Sequence, residues 1–192
     1  FKAVFAAAGS YLVSTVSSFM LFALIARLLT QVTKVGVLHP FMQAIEKLTD
    51  PCLKFAENVL PKMHAVGLLL ALIFIVELIK LIMLYVLNVG GVPSVVAVIG
   101  MAVSEVMSLL ANVAFYAIII DALLSWIPAI RGGMLQQMLG LVTTPLLAPI
   151  RQAMSRYNLG VDLSPLVALV GIHMVQLLIL DPFAAMAFQF MA

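Results

Sequence analysis

Five ionisable side chains stand inside stretches too apolar to carry them without a reason: Arg27, Glu77, Lys80, Asp121 and His173. An ionisable group at mid-bilayer costs about 2.5–3.5 kcal/mol on insertion scales, so each needs a partner or a task. Glu77 and Lys80 are three residues apart. On a helix that spacing makes an ion pair, with Lys80 free to reach outward along its methylene stem. The same two groups, joined by His173 and Gln176, would instead form a proton or cation site, because histidine titrates near neutral pH. A lone histidine on an apolar face is more often a packing residue. Arg27 and Asp121 carry opposite charges at matching places in two similar segments. They are read here as a pair across a symmetry axis. Otherwise Arg27 reaches for lipid headgroups and Asp121 caps a carbonyl-lined pocket. Asp162 precedes Leu163-Ser164-Pro165, the pattern of a carboxylate capping a helix whose first turn holds proline.

These residues sit on a duplicated frame. Ala23-Leu-Ile-Ala-Arg27-Leu-Leu29 aligns with Ala117-Ile-Ile-Ile-Asp121-Ala-Leu123, 94 positions on. Thr49-Asp-Pro51 aligns at the same offset with Thr143-Thr-Pro145. After a four-residue slip, His64-Ala-Val-Gly67 meets Asp162-Leu-Ser-Pro165. Each copy reads apolar span, proline-containing connector, apolar span. Such a repeat predicts a pseudo-symmetric membrane protein with any site near the repeat interface.

Composition agrees. Hydrophobic residues make up 65% of the chain and charged residues 9%, and mean hydropathy is +1.22. Soluble domains average about 25% charged, so lipid is the expected solvent. The net charge of +2 and the lack of a basic, aromatic-interleaved patch argue against nucleic acid. One cysteine, Cys52, excludes an internal disulfide and fits no metal spacing; it reads as a small apolar residue on a helix face. No nucleophile–base pair, metal cluster or phosphate loop stands out. The expectation is therefore no enzyme, no cofactor and no small-molecule substrate.

A span needs about 20 apolar residues. Residues 11–31 and 64–87 qualify, and 11–31 reads as a span, not a signal peptide. Residues 163–180 form another, ended by Asp181-Pro182. The apolar stretch from Val92 to Ile127 would measure about 54 Å as one helix. It is divided near Gly100 into a lead-in at 92–99, with Pro93 in a first turn, and a span at 103–126. The expected fold is all-α, with four transmembrane helices in two parallel two-span repeats, residues 1–88 and 89–192. Ser104, Ser108 and Asn112 in the third span suggest close helix contacts.

Lysines 34, 47, 54 and 62 and arginines 131, 151 and 156 lie in the two connectors. The positive-inside rule places those connectors in the cytoplasm and both termini outside, with Lys2 dissenting. Residues 39–60 and 134–157 form the connectors. Phe41, Ile45, Leu48, Cys52, Phe55 and Val59 make one helical stripe, and Leu135, Met138, Val142, Leu146, Ile150 and Met154 make its counterpart. Both helices are expected to lie amphipathically at the membrane surface, kinked or split by Pro51 and Pro145. Methionines such as Met134, Met138 and Met154 offer adaptable contact surfaces. The implied partners are the bilayer and other membrane proteins or a second copy. A scaffold or accessory subunit suits these features. An oligomeric channel built on Glu77, Lys80 and His173 is the alternative.

Three blocks, Asp121-Ala-Leu-Leu-Ser-Trp126, Thr144-Pro-Leu-Leu-Ala-Pro-Ile-Arg151 and Gly160-Val-Asp-Leu-Ser-Pro165, resemble the signature of the YggT family, also called YlmG. His39-Pro-Phe-Met-Gln43 and Leu48-Thr-Asp-Pro51 resemble its degenerate first copy. The resemblance covers nearly the whole chain. It implies a small multi-pass protein of the bacterial inner membrane, belonging to no enzyme family. Roles suggested for relatives are membrane-complex assembly (cytochrome maturation in plastids among them), division or nucleoid organisation, and osmotic tolerance. It marks Ser125, Trp126, Pro145, Pro149, Arg151, Asp162, Ser164 and Pro165 as motif residues, with Pro51 and His64 their first-copy counterparts. Two departures stand out. Many members carry arginine where this chain has Asp121, and Leu53-Lys54-Phe55 replaces a proline–arginine pattern.

Overall fold

The computed structural model describes residues 2–33, 40–127, 133–154 and 162–189. Lys34, His39, Arg131, Arg156 and Gly160 lie outside them, as do the side chains of Lys2, Phe41, Met134, Leu135 and Met138. Among the described residues all regular structure is helical: α1 (Lys2–Thr33), α2 (Pro40–Val59), α3 (Ala65–Asn88), α4 (Val95–Trp126), α5 (Met134–Met154), α6 (Ser164–Val175), a π-helical turn (Gln176–Leu180) and α7 (Asp181–Gln189). Four segments among the described residues are long and apolar enough to cross a membrane: Val4–Val32, Ala65–Asn88, Val95–Trp126 and Ser164–Gln189. Their outward faces carry large apolar side chains such as Phe19, Ile79, Val96 and Leu178. In water that surface would be a liability; in lipid it is the expected coat.

The chain packs as two units. The first holds residues 1–106 and 183–192, the second residues 107–182. In the first, α1 and α3 form an antiparallel pair around the fully buried Leu24, Leu69 and Ile73. At one end of that pair Asn88 Nδ2 donates to Ser10 Oγ at 3.1 Å. At the other end α2 lies against both helices. Leu81 of α3 packs with Ala97, Val98 and Ala102 of α4. In the second unit Ile118 of α4, Leu147 of α5 and Ala168 of α6 form the core, and Gln176 Nε2 donates to Asn112 Oδ1 at 2.9 Å.

Two sequence expectations are corrected. The division near Gly100 is absent: α4 runs unbroken through 32 residues. Glycine there serves packing, since a Cβ on Gly100 would stand 3.2 Å from the Cβ of Ala187 in α7. The lead-in is thus the first turns of α4. Pro93 lies ahead of that helix, in the short loop after Gly90, whose φ of 76° ends α3 in the left-handed region that glycine tolerates. Second, Asp181-Pro182 does not stop the fourth span, which continues as far as Gln189. A helical proline lacks its N–H and crowds the carbonyl one turn back. The wider π turn immediately before it relieves that crowding. Of the two outcomes expected at the connector prolines, a kink or a split, the split is absent: α2 runs through Pro51, and α5 through Pro145 and Pro149.

The close approach at Gly100 gives a direct expectation. Gly100→Leu forces α4 from α7 and costs about 1–3 kcal/mol, the usual penalty of overpacking. Gly100→Ala stays near neutral, because a helix-propensity gain of about 1 kcal/mol offsets a contact a few tenths of an ångström too tight. Detergent unfolding of the two variants separates these outcomes.

Candidate functional site

Each connector is fastened to the span before it through a buried threonine. Thr49 and Thr143 are both fully buried, and they occupy equivalent positions in the duplicated frame. In the first repeat Arg27 Nη1 donates to Thr49 Oγ1 at 2.8 Å, to the Glu46 carbonyl at 2.9 Å and to Asp50 Oδ1 at 2.6 Å. The last contact is an ion pair, with Arg27 largely buried and Asp50 partly exposed. The Thr49 hydroxyl itself donates to the carbonyl of Ile45 at 2.8 Å. Pro51 has no N–H and crowds the turn before it. Arg27 bonds to carbonyl and side-chain oxygens of that turn.

In the second repeat the polarity reverses. Thr143 Oγ1 donates to Asp121 Oδ2 at 2.7 Å. A hydroxyl both donates and accepts. The same threonine therefore serves a guanidinium in one copy and a carboxylate in the other. Arg27 and Asp121, expected to pair with each other, each take a partner in their own repeat. Asp50 and the two threonines are not among the residues the sequence singles out. The Thr49/Thr143 alignment is the available signal.

The buried faces of the connectors follow from these bonds. Among the described side chains of α2, Ile45, Thr49 and Leu53 are buried, while Leu48, Phe55 and Val59 of the anticipated stripe are exposed. In α5 Thr143 and Leu147 are buried, while Leu141 and Leu146 are exposed. The packed face is thus turned by roughly a quarter turn from the apolar stripe. Threonine counts as polar in such a pattern, yet here it is the most buried residue.

A second constellation joins the end of α5 to the start of α6. Arg151 Nε donates to Asp162 Oδ2 at 3.1 Å and to Ser164 Oγ at 3.3 Å. The Ser164 backbone N–H donates to Asp162 Oδ1 at 3.0 Å, and so does its hydroxyl, at 2.5 Å. Asp162 thus bonds an N–H of the first turn, as a cap does, from one residue ahead of the N-cap Leu163. Pro165 follows in that turn. The first repeat has Glu57 and Val66 at the places of Arg151 and Ser164, so it lacks this clamp. His64 there is the extended N-cap of α3 and makes no side-chain cap bond.

The Ser164 hydroxyl is the foremost reason that the Asp162 carboxyl is held below its ordinary value of 3.8. A depressed carboxyl stabilises the fold above its unfolded pKa, and that contribution fades as pH falls through the folded value. The stability gap between the native chain and Asp162→Asn should therefore stay level from about pH 8 to about pH 5 and close in stronger acid. Melting curves across that range test this.

Within the second unit, Asp121 and the Arg151–Asp162 pair border a cleft of about 610 Å³. Asp121, Ser125, Gln136, Arg151 and Asp162 supply its polar lining, and Ile118, Leu147, Pro165, Leu166 and Leu169 its apolar wall. Trp126 stands at the rim, largely exposed. Ser125 Oγ donates to the Ala122 carbonyl at 2.6 Å. The cleft lies where α4 ends and α6 begins, so it opens at the level of the span ends. Five motif residues (Ser125, Trp126, Arg151, Asp162 and Pro165) line it alongside Asp121. Pro145 and Pro149 lie within α5, which forms part of its wall. Among the described residues, no three of histidine, cysteine, aspartate and glutamate stand close enough to hold a metal.

The remaining charges lie elsewhere. Glu77 is buried in α3, and the Lys80 ammonium, itself largely buried, lies against Glu77 Oε2. Lys80 folds onto its partner and does not extend outward. His173 is on an exposed face of α6. Gln176, the other member of the imagined relay, is occupied by Asn112.

Comparison with known proteins fits this two-fold design. The CCB3/YggT family model matches residues 6–89 and again residues 100–183. The chain is 30% identical over 181 residues to "Uncharacterized protein PA0392" of Pseudomonas aeruginosa, covering 93% of this chain and 91% of that one. It is 25% identical over 184 residues to "Uncharacterized protein in proC 3'region" of Vibrio alginolyticus, covering 94% and 97%. No solved structure matches. With one match per repeat, four membrane-spanning helices and the motif residues gathered around one cleft, the chain belongs to the CCB3/YggT family of membrane proteins.

Proposed function

We propose that this protein is a non-enzymatic scaffold, assembly factor or accessory subunit of a larger complex in the bacterial cytoplasmic membrane. Both termini lie outside, and the two connector helices present a docking platform on the cytoplasmic side. The observation that carries the reading is the pairing of a fixed face with an unused one. Buried threonines hold α2 and α5 in place, while apolar side chains beside them, Leu48, Phe55 and Val59 in α2 and Leu141 and Leu146 in α5, remain exposed. A helix held rigidly with an apolar edge free suits contact with lipid or a partner helix. The lysines and arginines of the connectors support the orientation.

The alternative, transport through Glu77, Lys80 and His173, has less behind it. Glu77 and Lys80 neutralise each other, and Gln176 is bonded to Asn112. A mild-detergent pull-down of the native protein from its own membranes, with native mass spectrometry of what survives, tests the proposal. A stoichiometric hetero-complex that is lost in Phe55→Glu, while the variant stays folded, is the expected result. A homo-oligomer without partners contradicts it and favours transport.

A further inference from the structure

We propose that the cleft of the second repeat binds the headgroup of a zwitterionic aminophospholipid, a primary ammonium next to a phosphodiester. Asp121 and Arg151 line one cleft with opposite charge. Among the described residues Asp121 has no cationic partner; its one bond comes from the Thr143 hydroxyl. Its first-repeat equivalent, Arg27, is by contrast neutralised by Asp50. A carboxylate left with only a neutral donor at the end of a membrane span favours a cation from outside the chain.

Arg151 makes its bonds to Asp162 and Ser164 through Nε. Among the described residues its two Nη groups have no partner, and these are the atoms a guanidinium uses to grip a phosphate. The cleft therefore offers an acceptor for an ammonium and a fork for a phosphate. Its apolar wall runs on to Leu166 and Leu123, both exposed on the faces of the spans, where acyl chains would lie. Trp126 at the rim suits the same depth, since tryptophan favours the headgroup level. A volume of about 610 Å³ falls within the range of small-ligand sites. A choline headgroup carries no N–H for Asp121, and a glycerol headgroup carries no positive charge. Both should bind more weakly. This assignment does not depend on the scaffold reading.

The test is native mass spectrometry of the purified full-length chain, titrated with phosphatidylethanolamine, phosphatidylcholine and phosphatidylglycerol of one acyl composition. Phosphatidylethanolamine should be retained about tenfold more tightly than the other two, the size of one lost charged contact. Asp121→Asn should erase that preference. Ala122→Phe, which fills the cleft and leaves every charge in place, should abolish retention. Melting curves establish that each variant is folded; if Asp121→Asn is not, Ala122→Phe decides. Equal retention of the three lipids, or a preference unchanged in the variants, overturns the proposal. Soluble phosphoethanolamine binding as tightly as the lipid would overturn the lipid as its source.

Discussion

Replacing Lys80 by methionine is expected to destabilise the folded protein by about 3–5 kcal/mol, the usual cost of removing one partner from a buried ion pair. Glu77 is 2% exposed and Lys80 15%, so neither charge can turn to water when the other is lost. The two residues lie three apart on α3, in the middle of a span with Ile73 and Leu81 buried on the same face. Removing both charges together should behave differently. Glu77→Leu/Lys80→Met deletes the desolvation cost along with the attraction. It should unfold within about 1 kcal/mol of the native chain, or above it. Unfolding in a graded series of detergent mixtures compares the three proteins. A Lys80→Met variant as stable as the native chain would show that the pair carries no structural weight.

Arg27→Ala is expected to be nearly as damaging, at about 2–3 kcal/mol. The figure lies below the full buried-pair value because the Asp50 side chain is 41% exposed and keeps part of its hydration. The substitution removes contacts to the Glu46 carbonyl, Thr49 and Asp50 at once. Thr49 itself loses a donor but still bonds Ile45. The loss should be felt in the seating of α2 more than in the α1–α3 pair. Protection of the α2 amides in hydrogen exchange should fall, while that of Leu69 and Ile73 holds. If α2 exchanges as in the native chain, Arg27 does not fasten it.

The spans and the repeat are legible in the sequence because both rest on apolar runs and on alignable residues. Residues 11–31 and 64–87 fall close to where α1 and α3 cross. Misreadings arise where one residue type has two physical meanings. Gly100 resembles a break because glycine weakens an isolated helix; between two packed helices it permits close approach to Ala187. Asp181-Pro182 resembles a stop, and the π turn before it cannot be foreseen from periodicity. The connectors read as amphipathic, yet their packed face is misplaced when Thr49 and Thr143 are counted as polar. Symmetry matches Arg27 with Asp121, whereas its counter-ion, Asp50, is 23 positions along in its own connector. The cleft is not legible at all. Asp121, Arg151 and Asp162 come from separate elements, and only the fold brings them to one wall.

A buried threonine at one repeat position ties each connector to its span and accepts either sign of charge opposite. The most direct measurement transplants the second repeat's chemistry into the first. Arg27→Asp/Asp50→Thr reproduces the arrangement of Asp121, Thr143 and Thr144. The introduced carboxylate would then accept the Thr49 hydroxyl, as Asp121 accepts that of Thr143, with no carboxylate left at position 50 to repel it. The double variant should recover most of the stability lost in Arg27→Ala, and Thr49→Val in that background should remove the recovery. A double variant no more stable than Arg27→Ala, or one indifferent to Thr49→Val, would contradict the claim.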